Sequence, residues 1–170
     1  MIRALAMKKT MSGFSLLEVM ITVFILAIGI LGVSGMQLAS LKGNQGAYHR
    51  SQANFLAADI LDRMRANADG FANDDYDGID TGSSSASKPT CIDSDNGCDS
   101  ASIAAYDIHE WLLKFPSNAS TGLIPGSKGT VETNGLTGIT TVKVEWPEIE
   151  WVDGEKSSVT KSVDVTVRLF

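Results

Sequence analysis

The sequence predicts an α+β fold, one long N-terminal helix packed on a small antiparallel sheet, and three observations carry that prediction. From Phe14 to about Ala68 there is no proline and no cluster of turn residues, which leaves room for one helix of about 55 residues, near 80 Å at about 1.5 Å per residue. Its first part is apolar throughout, and its second part is amphipathic. Towards the C-terminus, Ile139–Trp146 and Ser162–Phe170 alternate apolar and polar residues with period two, and Asp153-Gly154 lies between them. Such a pair reads as antiparallel strands.

The helix is argued from its charges. The chain has 170 residues, enough for one domain and an appendage, and a net charge of −6. No charged side chain falls between Glu18 and Lys42, so Val19–Leu41 is a 23-residue uncharged run. A run of that length crosses a bilayer core of roughly 30 Å. Arg3, Lys8 and Lys9 precede it with no acid among them, a bias that keeps the first residues cytoplasmic and exports the rest. A cleaved secretory signal does not fit, because Leu16–Met36 is longer than an apolar signal core and Ser34-Gly35-Met36-Gln37 offers no A-x-A site. The acidic balance leaves no basic patch for a phosphate backbone, so nucleic acid is not an expected partner.

Lys8-Lys9-Thr10-Met11-Ser12-Gly13-Phe14-Ser15-Leu16-Leu17-Glu18 places basic residues, a glycine, a large apolar residue and an acid ahead of the hydrophobic run. This order resembles the prepilin leader of type IV pilins and pseudopilins. The resemblance implies a leader of residues 1–13, cut by a prepilin peptidase between Gly13 and Phe14, with N-methylation of Phe14. Cleavage would leave 157 residues and remove three cations but no acid, taking the net charge to −9. Glu18 is costly beside an apolar helix, by about 2.5–3.5 kcal/mol at a bilayer centre and less near its edge. It stands four residues from Phe14, where a new α-ammonium and the carboxylate can neutralise each other. The resemblance implies that Glu18 meets the Phe14 amine of an adjacent subunit during assembly.

Beyond the membrane half, Ala53, Leu56, Ala57, Ile60 and Met64 form an apolar stripe, the expected face of the helix towards a core. Gly35, Ala39, Gly43 and Ala47 recur every four residues, a small-residue ridge that permits close helix approach or loosens the helix. Ser40–Ala53 and Leu56–Asn67, with Leu56-Ala57-Ala58-Asp59-Ile60-Leu61-Asp62-Arg63 at their centre, resemble minor pilins of the type IV pilus modification protein family (PilV type). The chain lacks the proline that major pilins carry in the membrane half.

The remainder, 69–170, is expected to be an exported head that opens with an acidic loop over 69–102. Asn73-x-Asp75-x-Asp77-Gly78 matches the first half of a calcium loop, but the twelfth position is Ser84 instead of glutamate. Asn73, Asp75 and Asp77 are therefore a weak cation candidate beside the plainer reading of a solvated loop, and no metal is expected. Cys91 and Cys98 enclose six residues; in an exported chain they should form a local disulfide, since no histidine lies near enough to complete a zinc site. Ile103–Phe115 has helical spacing and stops at Pro116. Gly122–Gly138 reads as a connection with a short strand around Thr130–Glu132. The following pair of strands should present Val142, Val144, Trp146, Val163, Val165 and Val167 to the Ala53–Met64 stripe, the helix-on-sheet arrangement of pilin heads.

His49 and His109 have no nucleophile motif beside them, and no GxSxG, HExxH or phosphate loop occurs. The expectation is a non-enzymatic protein without a cofactor, a minor type IV pilin with the helix over 14–68 and its filament or membrane part over 14–41. The resemblance implies prepilin peptidase, other minor pilins, the major pilin and the inner membrane as partners, with a tip adhesin as a further candidate. It also implies a single-pass inner-membrane location with a periplasmic head, then the pilus on the cell surface. A type II secretion pseudopilin and a signal-anchored periplasmic binding domain are the alternatives.

Overall fold

The computed structural model describes residues 13–95, 97–115 and 123–169, and among these it shows one long helix, two shorter ones and a four-stranded sheet. The leader before Gly13, Asn96 within the cysteine loop and Pro116, the expected helix stop, lie outside the described residues. The chain divides after Asn44 into two units.

Helix α1 runs from Leu16 to Ala66. In the second unit its stripe of Ala53, Leu56, Ala57, Ile60 and Met64 is buried, joined by Leu61. Asn67 breaks the helix with φ −118° and ψ 67°, and its side chain accepts from the Gly70 amide to cap α2, Ala68–Ala72. Its amide nitrogen also donates to Tyr76 Oη at 3.1 Å and to the Ser100 carbonyl at 2.8 Å. One buried asparagine thus fixes the turn that follows α1, and the tight fit requires Gly70, where a Cβ would come within 2.5 Å of that nitrogen.

The sheet is antiparallel in the order β1 (Ile79–Asp80), β2 (Lys128–Asn134), β3 (Ile139–Val152) and β4 (Glu155–Arg168). The two long strands meet at Asp153 and Gly154, whose φ values of 52° and 85° are the left-handed pair that a two-residue hairpin turn needs. The hairpin is longer than the alternating segments alone suggest. Pro147 does not stop β3, because the register with β2 ends at Glu145 and β3 has a neighbour on one side only from there onward. Val142, Val144 and Trp146 are buried, and Val163, Val165 and Val167 pack half-buried against the same core. The α+β fold expected from the sequence is the one observed, with α1 on the sheet.

Between α2 and α3 the acidic stretch is built of short pieces, β1 and a 3-10 turn at Thr90–Asp93 among them. Helix α3 begins at Ser100, ahead of the first periodic apolar residue, because Asp99 caps it by accepting from the Ser102 amide at 2.8 Å. The helix runs to Leu112 and delivers Trp111, which is wholly buried and donates from Nε1 to the Leu56 carbonyl of α1 at 2.9 Å. Trp111 and Phe115 meet edge to face at 4.8 Å. Gly129 of β2 lies directly under them, where an added Cβ would stand 2.5 Å from Trp111 Cη2.

Candidate functional site

In the first unit α1 opens on a cap. Ser15 Oγ accepts from the Glu18 amide at 3.2 Å, one of the two bonds of the Ser-x-x-Glu capping box that Ser15 and Glu18 spell out. Glu18 thereby occupies the third helical position, where its negative charge meets the positive end of the helix. That signal lies in four residues of sequence and gives Glu18 a local role besides the one implied by resemblance. Phe14, Gly13 and Glu18 are all exposed.

From Leu16 onward the apolar side chains of this unit are exposed without exception among the described residues. Two of the three hydroxyls within the run, those of Thr22 and Ser34, turn back on the helix: Thr22 Oγ1 donates to the Val19 carbonyl and Ser34 Oγ to the Ile30 carbonyl, each at 2.8 Å. Folded back in this way, they present little polarity to an apolar surround. At Gly29, Gly32, Gly35 and Gly43 an added Cβ would meet nothing within 4 Å. The helix is long and apolar enough to cross a membrane.

In the second unit the sequence candidates separate. Cys91 and Cys98 form a disulfide, with Cα atoms 5.2 Å apart. Lys88 pairs with Asp93 at 2.9 Å inside the same loop, and His109 Nδ1 lies 2.8 Å from the Ala86 carbonyl, tying the loop to α3. His109 is thus a packing residue. His49 is half-buried on α1, and its Nδ1 has no partner among the described residues. Of the calcium candidates, Asn73 ends α2, and Asp77 Oδ1 accepts from the Thr133 amide of β2 at 2.7 Å. Asp75 Oδ2 is buried without a partner among the described residues. Among those residues no three His, Cys, Asp or Glu side chains gather where they could hold a metal ion.

A cluster that sequence reading missed links α1, the loop and α3. Asp107, 8% exposed, accepts from Arg63 Nη1 at 3.0 Å and from Tyr76 Oη at 2.6 Å. Arg63 also reaches Asp59 at 3.3 Å, and Asp59 accepts from Lys114 at 2.6 Å. Burial, and after it the bond to Asp107, raise the Tyr76 phenol above its ordinary value. Every polar atom named here has a partner inside the cluster, which makes it a structural lock between helices.

Residues 8–34, which include the capped Phe-Ser-Leu-Leu-Glu start of the apolar helix, match the family model of the prokaryotic N-terminal methylation motif. Residues 35–109 match the model described as type IV pilin Tt1218, in the Tt1218-like family. Together the two matches support a type IV pilin-like protein with a prepilin leader. No curated protein and no solved structure matches the chain. Its pilin character points to a structural role in place of an enzymatic one.

Proposed function

We propose that the protein is a minor type IV pilin, a subunit that helps prime pilus assembly and is built into the fibre or its tip complex. The observation that carries this reading is the state of α1 before Asn44: its large apolar residues are exposed among the described residues. Such a surface is stable only in lipid or against other apolar helices. A prepilin peptidase would cut between Gly13 and Phe14 and methylate the new amine. Glu18, fixed one turn along by the Ser15 cap, would offer its carboxylate to the Phe14 ammonium of a neighbour. The head would be periplasmic, which suits the Cys91–Cys98 disulfide, and the partners would be other pilins met through their N-terminal helices.

The experiment is mass spectrometry of the mature chain together with its recovery from sheared pili. A methylated Phe14 start and co-purification with pilus subunits are expected. An intact Met1 would overturn the pilin processing, and loss of protein secretion with normal pili on deletion would transfer the protein to a secretion pseudopilus. Glu18→Ala should cut recovery in the fibre while leaving the amount of membrane-bound protein unchanged.

A further inference from the structure

The β3–β4 hairpin reaches beyond the core that it covers. Trp146 is the last buried residue of β3 among those whose burial is described, yet the strand continues to Val152 before the turn. Pro147, Ile149 and Trp151 alternate along the face turned away from the core, with Ile149 65% and Trp151 60% exposed. The other two tryptophans, Trp111 and Trp146, are buried. Lys156, the cross-strand partner of Trp151, holds its ammonium 5.7 Å from the ring centre.

The arm has a definite place in the head. Glu148 lies against Gly46 of α1, so closely that a Cβ there would stand 2.8 Å from Oε1. Gly46 follows Lys42, the first charge after the apolar run, by four residues. The hairpin tip is therefore at the end of the head where the chain leaves for its apolar helix. An exposed indole and isoleucine beside a lysine are the chemistry of the bilayer interface, where Trp rings settle among headgroups and Lys extends to phosphate. Glu148, Glu150, Asp153 and Glu155 outnumber Lys156 and Lys161 in this part of the hairpin, Lys161 being paired with Glu150 at 2.8 Å, so the net negative charge would be repelled by an anionic surface.

We propose that Ile149 and Trp151, with Lys156 beside them, rest in the headgroup layer of zwitterionic phospholipid in the membrane that holds α1. The inference rests on reading α1 as a membrane anchor. The tether raises the local lipid concentration, so a contact too weak to recruit a free protein suffices to hold the head. Leaving the bilayer requires giving up that contact, which weights the chain towards its membrane-resident state.

The test uses the full chain in phosphatidylcholine nanodiscs, with plain lipid or lipid brominated near the headgroup. The Trp151 signal is the difference in fluorescence between wild type and Trp151→Phe, an exposed position whose change leaves the core intact. Brominated lipid should remove most of that difference, and added phosphatidylglycerol should restore part of it. A Phe24→Trp, Trp151→Phe variant reports separately whether α1 lies in the bilayer. If the Phe24 reporter is quenched and Trp151 is not, the proposal fails. If Trp151 is shielded from aqueous acrylamide but untouched by bromine, protein covers the tip and the proposal likewise fails. Stronger quenching with phosphatidylglycerol would overturn the choice of zwitterionic lipid, and an unquenched Phe24 reporter would overturn the anchor reading and the proposal with it.

Discussion

Asp107 shows how much one carboxylate can hold when two donors converge on it. Removing it in Asp107→Ala leaves Arg63 with Asp59 alone and the Tyr76 hydroxyl proton without its acceptor, at an expected cost of about 1–3 kcal/mol. Asp107→Asn, which keeps one acceptor oxygen, should lose less; denaturant unfolding of the two variants measures the difference. The raised Tyr76 phenol makes a pH prediction with a definite sign. A group whose pKa is higher folded than unfolded contributes stability that is complete below its unfolded value and is lost as pH rises past it. Stability should therefore fall above about pH 10, where an unfolded tyrosine ionises, and Tyr76→Phe should flatten that alkaline limb. Gly129 is the other sensitive position. Alanine there drives a methyl into the Trp111 and Phe115 rings, and the overpacking should cost about 1–3 kcal/mol in the same assay.

Elements in this head are held by their ends. The loop between β1 and α3 has little core of its own and is secured by the Cys91–Cys98 disulfide, the Lys88–Asp93 pair, His109 on the Ala86 carbonyl and the Asp99 cap. Closing a loop this short restrains the unfolded chain by about 2–3 kcal/mol. Reduction should lower the unfolding midpoint by a corresponding amount while the sheet and the α1 stripe keep their amide protection, because the bond joins residues only seven apart within one loop. Loss of protection throughout the head on reduction would show that the disulfide holds more than its loop. The hydrogen bonds from Ser102 hold the Asp99 carboxyl below its usual range, so the cap's contribution is present above the ordinary carboxylate value and disappears as pH falls through the folded one.

Across the whole molecule, the two units differ in what they need. Every buried hydrophobic residue named in the core lies at Ala53 or beyond, so a chain beginning at Gln45 should fold, keep the disulfide and run as a monomer without detergent. The full chain should require detergent or lipid. Near-ultraviolet circular dichroism and size-exclusion chromatography check both statements, and a molten head in the shortened chain would show that the apolar half contributes to folding. The same division explains the mean composition of 44% hydrophobic and 20% charged residues, an average over a greasy helix and an acidic head that has neither property uniformly.

Periodicity by itself determined the long helix, its buried stripe from Ala53 to Met64, the paired strands and the Asp153-Gly154 turn, because each depends on residues within a few positions of one another. The resemblance carried by Phe14 and Glu18 rests likewise on a local order of residue types. What only the tertiary structure decided depends on distant partners. Asp107, Tyr76 and Arg63 are 31 and 44 residues apart along their bonds, and nothing in their separate neighbourhoods marks them as one cluster. Gly129 reads as a linker glycine until Trp111 is placed over it, and Asp77 reads as part of a solvated acidic loop, at most a weak cation candidate, until its carboxylate is found on the Thr133 amide. The hairpin's reach past the core was hidden for the same reason: strand length is set by pairing between β3 and β4, and pairing is a property of two segments together.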